Sequence, residues 1–454
     1  MARTTVRSMT SGPTLSLILR FTIPLLLGNL FQQTYNLVDA AIVGQTLGAN
    51  SLAAVGASSS VQFLTLGFCI GACVGFAVPI AQRFGAKDFH SMRQYVFGGA
   101  IWSGVVAVVM TLGTSLACSG ILHLLHVPAE IFHQAYWYLL IIFLGLPFTI
   151  LYNYLSSVLR AIGDSKTPFL FLALSAVLNI GLDFFCILVL KWGVAGASIA
   201  TIFSQAVSGL LCLLLIVKKF DILHLHREDM TLDHQINHNL LVMGIPMGLQ
   251  YSITAIGSMV MQSANNSLGT VYVTGFTSGV KIKQFMMCPF DALATAVSTF
   301  VSQNYGAGEV KRIQKGLFQG VTVGVLYGVF AGLLLIFFGR QMSMLFMNGG
   351  NSAALDASYL YLKRMGMFWW TLGILNVMRL TTQGLGYAGR AVFSGVFETI
   401  CRIGVSLAFV PHFGYDAITF TDQAAWLGAT LYIVPTCLWC VRKIKRGEGK
   451  RLKS

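Results

Sequence analysis

Long apolar stretches recur along almost the whole chain and are separated by short polar segments. Each stretch is long enough for an α-helix to cross a hydrocarbon layer of roughly 30 Å, which takes about 20 residues. A backbone that spans lipid must satisfy its own N–H and C=O groups, so each stretch is predicted to be helical. Twelve spans are predicted, at 15–44, 52–80, 94–121, 134–159, 167–190, 193–217, 240–265, 272–302, 313–339, 357–385, 391–412 and 422–441.

Composition supports this interpretation, because 55% of the residues are hydrophobic and only 10% are charged. Soluble domains carry about 25% charged residues. The sequence therefore predicts an all-α integral membrane protein. Its nine cysteines are scattered through the spans, so neither a disulfide framework nor a metal centre built from thiolates is expected.

The net charge of +14 is distributed unevenly. Lys and Arg residues concentrate in the termini and the even-numbered loops, whereas the odd-numbered loops hold only Lys191 and Arg340. The positive-inside rule then predicts a multi-pass protein of the cell inner (plasma) membrane with both termini in the cytoplasm. The basic tail is interpreted as a topology anchor that contacts anionic lipid, and no nucleic-acid partner is expected.

A polar stretch at 218–239 divides the chain into two similar halves. The segment FTIP at 21–24 is similar to MGIP at 243–246, and QRFGAKD at 82–88 is similar to QNYGAGE at 303–309. Repeats of six spans share one orientation, so they are predicted to be related by a parallel pseudo-two-fold repeat. The predicted domains are an N-terminal six-helix lobe at 1–219, a cytoplasmic linker at 220–239, a C-terminal six-helix lobe at 240–441 and a basic cytoplasmic tail at 442–454.

Two carboxylates fall inside predicted spans of the first half, Asp39 in span one and Asp183 in span five. Ionisable groups within a membrane are costly, so each one indicates a functional site. Other polar side chains accompany them at helical spacing or on neighbouring spans: Gln32, Tyr35 and Asn36 on span one, Asn179 on span five, Asn153 on span four and Thr201 on span six.

Two carboxylates in a medium of low dielectric constant cannot both ionise cheaply, so the pair is predicted to take up a proton or a hard monovalent cation. The oxygen atoms of Asp39, Asn179, Asp183 and Thr201 would suit Na⁺ better than a soft metal. The alternative is a neutral structural pair that is hydrogen-bonded between helices. The coupling ion, H⁺ or Na⁺, stays open, and no other cofactor is expected.

The second half carries a different set of charges in spans eight, ten and eleven. Glu398 and Arg402 are four residues apart, which predicts an ion pair along one helix. The roles of Lys281, Lys283, Asp291, Arg379, Glu398 and Arg402 stay open. Candidates for lining a substrate cavity are Gln32, Tyr35, Asn36, Gln250, Lys283, Met286, Arg379, Glu398 and Arg402.

Motifs of enzymes and of ATP-driven pumps are absent from the sequence. It contains no G-x-x-x-x-G-K-[ST], H-E-x-x-H or G-x-S-x-G, and no soluble segment large enough to fold as a catalytic domain. No catalytic residues are therefore predicted, and the chain is not expected to be an enzyme.

Several segments together resemble the multidrug and toxic compound extrusion (MATE) family over essentially the full length. They include 24–56, 82–88, LRAIGDSKTP at 159–168, the N-x-x-x-D pattern at 179–183, GVAGA at 193–197 and QGLG at 383–386. The resemblance implies two six-helix lobes and a secondary active antiporter. Such an antiporter exports organic cations or drugs in exchange for H⁺ or Na⁺ by alternating access.

The resemblance also implies where the coupling ion binds. In the branch of the family with a cation site in the N-terminal lobe, the matching positions are Asp39, Asn179, Asp183 and Thr201, with Asn153 nearby. In another branch a Glu on span seven and an Asp on span ten carry coupling, and neither span contains a carboxylate here.

The resemblance also suggests the partners of the chain. Small amphipathic cations and the lipid bilayer are the expected partners, and the chain is expected to act as a monomer. The alternative is a flippase for lipid-linked oligosaccharide or lipid from the same superfamily, which would favour a basic cavity. A membrane-embedded enzyme that acts on lipid would need an acid/base or metal constellation that is not visible.

Overall fold

The computed structural model describes residues 8–125, 127–231, 233–346 and 352–448. Within these residues the regular structure is entirely helical. The α-helices are α1 Thr14–Leu47, α2 Ala49–Gly85, α3 Phe89–Leu124, α4 Ala129–Leu144, α5 Leu146–Ala161, α6 Lys166–Phe184, α7 Gly193–Lys219, α8 His234–Asn266, α9 Thr270–Gly306, α10 Val310–Met344, α11 Ser352–Gly384, α12 Ala388–Gly404, α13 Val410–Phe413 and α14 Tyr415–Lys445.

Ten helical segments of the described chain are long and apolar enough to cross a membrane. The pair α4 and α5 is an eleventh candidate, and it is bent by 45°. The break falls at Gly145, where the proline at 147 lacks the N–H that a continuous helix would need. Helix α11 occupies the remaining predicted span and carries four charged residues, Asp356, Lys363, Arg364 and Arg379. The predicted all-α architecture of twelve spans is confirmed.

The two halves repeat each other in local structure. A π-helical turn follows α6 at Phe185–Val189, and another follows α12 at Val405–Phe409. Gly48 and Gly269 precede α2 and α9 with φ angles of 87° and 106°, which glycine adopts without steric cost. Breaks in the helices therefore recur at equivalent positions, as expected of a duplicated six-span unit.

The chain divides into two compact units, and the division runs through two helices. The first unit holds Leu27–Gly248, and the second holds Met9–Leu26 together with the residues from Leu249 onward. The N-terminal part of α1 therefore belongs with the second half, and the N-terminal part of α8 belongs with the first. The domain boundaries expected from the sequence instead place the start of α1 in the N-terminal lobe and residues 240–248 of α8 in the C-terminal lobe. Helix α8 begins at His234, inside the predicted linker. Those boundaries stay a prediction.

Close helix packing holds the N-terminal parts of α1 and α8 in their units. A Cβ atom on Gly75 of α2 would lie 2.6 Å from the Cα atom of Gly244 on α8, so only glycine fits there. Ile18, Phe21 and Leu25 of α1 are buried in the apolar core of the second unit. Small residues that let helices approach closely are typical of membrane bundles, in which dispersion contacts replace the hydrophobic effect.

The segment that precedes α8 is fastened to the start of α3. The Asp229 carboxylate accepts hydrogen bonds from Arg93 Nε at 2.6 Å and from the His226 backbone N–H at 2.9 Å, and it contacts His90 Nδ1 at 2.8 Å. Burial opposes ionisation of Asp229, but these donors outweigh that effect and hold its pKa well below the usual range. The linker is therefore a folded part of the first unit.

The segment that precedes α1 is fastened in an analogous way at the turn between α9 and α10. The Met9 N–H donates to Gln303 Oε1 at 2.8 Å, and the Met9 carbonyl accepts from Asn304 Nδ2 and Arg312 Nη2 at 3.1 and 3.0 Å. Each exchanged helix start is thus held by a polar anchor within its own unit.

Candidate cation site and buried charge network

Asp183 lies at the C-terminal end of α6, two residues before the π-helical turn. Its side chain is fully buried at 0% exposure, and no N–H or hydroxyl group of the described residues donates to its carboxylate, whose polar neighbour is the Asp39 carboxylate. Buried polar groups are nearly always paired, because an unpaired one costs the free energy of its lost hydration. A carboxylate at this depth that has another carboxylate beside it therefore indicates a pair that takes up a proton or a small cation.

Asp39 of α1 is the electrostatic neighbour of Asp183. Its Oδ1 atom is buried and has no hydrogen-bond partner in the described part of the chain. Both carboxylates act electrostatically on the hydroxyl groups of Tyr35 and Tyr138. The structure thus brings together the two acids that the sequence singled out, and it adds Tyr138 of α4 to them.

Asn179 and Thr201 complete the cluster from α6 and α7. Asn179 lies one helical turn before Asp183 and is 2% exposed. Its Nδ2 atom donates to Thr201 Oγ1 at 3.2 Å, whereas its Oδ1 atom has no partner among the described residues. The amide and hydroxyl predicted as ligands are therefore in contact with each other.

The other predicted members of this site behave differently. Asn153 donates from Nδ2 to the carbonyl of Thr149 on its own helix at 2.8 Å, and no hydrogen bond joins it to Asp39 or Asp183 among the described residues, so its part in the site stays a prediction. Gln32 contacts the Tyr35 side chain, and Asn36 is exposed. Of these polar residues of α1, Tyr35 is the one that interacts with the two acids.

Four oxygen atoms of this cluster, on α1 and α6, receive no hydrogen bond from an N–H or hydroxyl group of the described residues: Asp39 Oδ1, Asn179 Oδ1 and both carboxylate oxygens of Asp183. Two carboxylates without a cationic side chain suit one or two protons or a small hard cation such as Na⁺. Within the described residues no group of three His, Cys, Asp or Glu side chains has the geometry of a metal centre. The donor set thus fits a monovalent cation.

A separate charge network is buried in the second unit, and Asp422 of α14 is at its centre. Asp422 is 0% exposed. Its Oδ2 atom accepts from Lys283 Nζ at 2.7 Å and from the Tyr361 hydroxyl at 2.6 Å. Its Oδ1 atom accepts from Arg402 Nη2 at 3.0 Å. Four helices, α9, α11, α12 and α14, therefore meet at one carboxylate.

Glu398 of α12 extends this network. It accepts from Arg402 Nη2 at 3.1 Å, so the ion pair expected from their spacing is present. It also accepts from Arg379 Nη2 at 2.6 Å, and Arg379 Nε donates to Ser394 Oγ at 2.8 Å. Lys283, Arg379, Glu398 and Arg402, predicted as cavity residues, thus form one hydrogen-bonded group.

The remaining candidates of the second half lie around this network. Gln250 accepts a hydrogen bond from Gln383 Nε2 at 2.7 Å, and both residues are buried. Met286 is partly buried within the apolar core. Lys281 is exposed, and Asp291 interacts electrostatically with Arg379 without forming an ion pair. The structure does not join Gln250 or Met286 to the charges.

Sequence reasoning missed Asp422, Tyr361 and Tyr138. The last span was predicted to begin at residue 422, which placed Asp422 at the membrane surface. Helix α14 in fact begins at Tyr415, and this extra length carries Asp422 two turns inside the helix. The signal available for Asp422 was an acid at the start of the last apolar stretch, between Thr421 and Gln423. Neither tyrosine stood out in the sequence, because another tyrosine lies two residues before each, Tyr136 on α4 and Tyr359 on α11.

Helices that span a membrane in two repeated sets, with an unpaired acidic cluster in one of them, define the class of multi-pass membrane transporters. The family model described as MatE matches residues 24–185 and 246–408, once in each half. The chain belongs to this family, the MATE transporters, as the resemblance in sequence implied. Members of the family are transporters rather than enzymes.

Relatives and solved structures agree with this assignment. The chain is 30% identical over 388 residues to the "Probable multidrug resistance protein YpnP" of Bacillus subtilis (strain 168), covering 83% of this chain and 84% of the relative. It is 29% identical to YoeA of the same strain, named in the same way, over 72% of each chain. A MOP superfamily transporter from Pyrococcus furiosus superposes with a TM-score of 0.91 at 23% identity, covering 96% of this chain and 98% of that one. That likeness shows the fold alone.

Proposed function

We propose that this chain is a secondary active antiporter that exports amphipathic organic cations, including drugs, in exchange for H⁺ or Na⁺. The observation that carries the proposal is the fully buried Asp183 carboxylate, which lies beside the Asp39 carboxylate and receives no hydrogen bond from any N–H or hydroxyl group of the described residues. The relatives named as multidrug resistance proteins support the cargo class. The coupling site consists of Asp39, Asp183, Asn179 and Thr201.

Repulsion between the two carboxylates is the physical basis of coupling. Without a cation, Asp39 and Asp183 cannot both remain charged at low cost. A bound proton or Na⁺ removes the repulsion and lets α1 and α6 draw together. Helix α1 also contributes its first turns to the second unit, and Pro24 lies just before that change of unit at Leu26. A proline removes a backbone hydrogen bond, so α1 can bend near this point.

Exchange then follows from linkage between the two ligands. If cation binding lowers the affinity for cargo by some factor, cargo binding lowers the affinity for the cation by the same factor. Alternating access between the two lobes releases the cargo outside and the cation inside. We infer from the distribution of Lys and Arg that both termini lie in the cytoplasm. The family resemblance suggests that the protein acts in the plasma membrane as a monomer.

The test measures ethidium efflux from proteoliposomes in which a Na⁺ gradient and a pH gradient are imposed separately. Asp39→Asn and Asp183→Asn should fold and yet lose gradient-driven efflux, and the gradient that drives the wild type identifies the ion. Asp356→Asn is the matched control, since Asp356 is 59% exposed and pairs with Arg340. Wild-type efflux by either site variant would reject the proposal.

The rival function is a flippase for lipid-linked oligosaccharide or lipid. This function is suggested by the basic residues of the second unit. Most of these residues, however, donate to Glu398 or Asp422. A scrambling assay with a fluorescent phospholipid separates the two functions, because the antiporter should leave the lipid distribution unchanged when a gradient is applied.

A further inference from the structure

We propose that the charge network of the second unit binds an acidic group of the cargo, a carboxylate or a phosphate, through Arg402, Lys283 and Arg379. This inference rests on the proposed function only in that the acidic group belongs to the cargo. The exported amphiphiles would then include molecules that carry an acid together with their cationic or apolar parts.

The first argument is the duplication of the chain. Asn179 and Asp183 lie one turn apart on α6 just before its π-helical turn. Glu398 and Arg402 lie one turn apart on α12 just before the π-helical turn that repeats it. The last helical turn before each π-helical turn therefore differs in polarity between the halves, with Asp183 two residues before the first π-helical turn and Arg402 three residues before the second. The first half presents acids without a cationic partner, and the second half presents an arginine. π-helical turns inside helices often mark functional sites.

The second argument is the balance of charge. Lys283, Arg379 and Arg402 share two carboxylates, and every oxygen of Glu398 and Asp422 already accepts from one of them. One positive charge is therefore left over within the network. Asp291 reduces the potential near Arg379 but forms no ion pair with it. Buried charge that is not fully paired costs free energy, which an anion from the cargo would offset.

The third argument is the set of unused donors. Arg402 is 4% exposed, and its Nε atom has no hydrogen-bond partner among the described residues. Lys283 donates to one carboxylate and keeps two further N–H groups. Its side chain is 14% exposed, more than those of Arg379 and Arg402, so the network is most open at Lys283. Guanidinium and ammonium groups together match the oxygens of carboxylate and phosphate.

The test measures equilibrium binding of two dyes to purified protein in phosphatidylcholine nanodiscs by fluorescence anisotropy. One dye is a rhodamine with a free carboxylate, and the other is its methyl ester, which differs only in that charge. The wild type should bind the free acid about tenfold more tightly, as expected for one charge-assisted hydrogen bond. Lys283→Met should remove that preference, so that the free acid and the ester bind the variant with similar affinity.

Three controls keep the outcome interpretable. Arg340→Gln removes a surface cation that pairs with exposed Asp356, and it should retain the preference. If Lys283→Met yields no monodisperse protein, Lys283→Arg replaces it and should retain the preference, because the charge remains. The measurement is repeated in phosphatidylglycerol, where an unchanged preference excludes an anionic lipid headgroup as occupant.

Equal binding of both dyes to the wild type would overturn the inference, as would an equal loss of both in Lys283→Met or a loss of preference in phosphatidylglycerol. Because no gradient is imposed, these outcomes do not depend on coupling at Asp39 and Asp183. Failure of ion coupling with the dye preference intact would instead reject the proposed function alone.

Discussion

The Asn179 side chain donates a hydrogen bond to Thr201 at 3.2 Å, and this contact determines which atom Asn179 offers to a ligand. The Thr201 hydroxyl already donates its single proton to the carbonyl of Ala197 at 3.0 Å. It can therefore only accept from Asn179, so the amide nitrogen must face Thr201. The Asn179 Oδ1 atom is then left without a partner, one turn from Asp183. Thr201 thus orients a neutral oxygen ligand toward the acidic cluster.

Replacing Thr201 with valine should weaken cation coupling without unfolding the protein. Valine keeps the shape but cannot accept from Asn179, so the amide loses its fixed orientation. Loss of one hydrogen bond costs about 0.5–1.5 kcal/mol, which corresponds to a roughly two- to tenfold rise in the ion concentration for half-maximal efflux. Thr201→Ser should behave as wild type. Thr114→Val is the matched control, because the Thr114 hydroxyl bonds only to its own helix. An unaltered ion dependence in Thr201→Val would contradict this orienting role.

Asp183→Asn should separate stability from ion binding. An amide at this fully buried position removes an uncompensated charge, so the apo protein should be at least as stable as wild type. The variant should lose the stabilisation that the coupling ion confers on wild type, which is about 2.7 kcal/mol at an ion concentration about 100 times Kd. Thermal unfolding with and without Na⁺, and across pH, measures both effects. A variant that melts far below wild type in the absence of ion would indicate a structural role for Asp183.

The spans and the repeat could be predicted from sequence, because both depend on local chemistry. Apolar stretches of spanning length must be helical in lipid, and matching segments such as 82–88 and 303–309 reveal the duplication. The exchange of helix starts could not be predicted. It depends on how closely Gly75 and Gly244 approach and on where Phe21 is buried, and both are features of tertiary packing.

The two acids of the candidate cation site could be predicted from the sequence, because a charge inside a span is costly. Asp422 of the charge network was missed, because the start of the last helix was misplaced. Asp39 and Asp183 stood out because an acid deep in a span has few structural uses. Asp422 did not, because an error of seven residues in the start of α14 moved it from the interior to the surface. Asn153 was expected near the acids, but its amide bonds to its own helix.

Gly75→Ala should destabilise the first unit. The added Cβ would lie 2.6 Å from the Gly244 Cα atom and 2.7 Å from the Met243 carbonyl oxygen, and neither backbone atom can rotate away. Overpacking of this kind costs about 1–3 kcal/mol, which exceeds what alanine gains over glycine in a helix. Gly113→Ala on α3 is the matched control, because its Cβ would meet nothing within 4 Å. Thermal unfolding in one detergent compares the two, and equal melting temperatures would count against the close approach.

Asp229→Asn should loosen the segment before α8 in a pH-dependent way. Because the folded-state pKa of Asp229 is depressed, its stabilisation is complete above the ordinary carboxyl pKa of about 4 and declines as pH falls toward the folded-state pKa. The variant should therefore lose about 1.5–3 kcal/mol at pH 5 and approach wild type only as pH falls below about 4. Melting temperatures measured from pH 5 downward test this. A difference that grows as pH falls below 4 would contradict the assignment.

Asp422→Asn should be among the most destabilising single changes in the second unit. The carboxylate accepts from Lys283, Tyr361 and Arg402, so its removal leaves two buried cations short of a partner. Breaking a buried ion pair from one side costs about 3–5 kcal/mol, whereas an exposed pair is worth about 0–1 kcal/mol. Asp356→Asn, which breaks only the exposed pair with Arg340, should therefore melt within a few degrees of wild type. Adding Lys283→Met to Asp422→Asn should restore part of the lost stability, because it removes one of the two stranded cations. If the double variant lost as much as the two single variants together, Lys283 and Asp422 would not be energetically coupled.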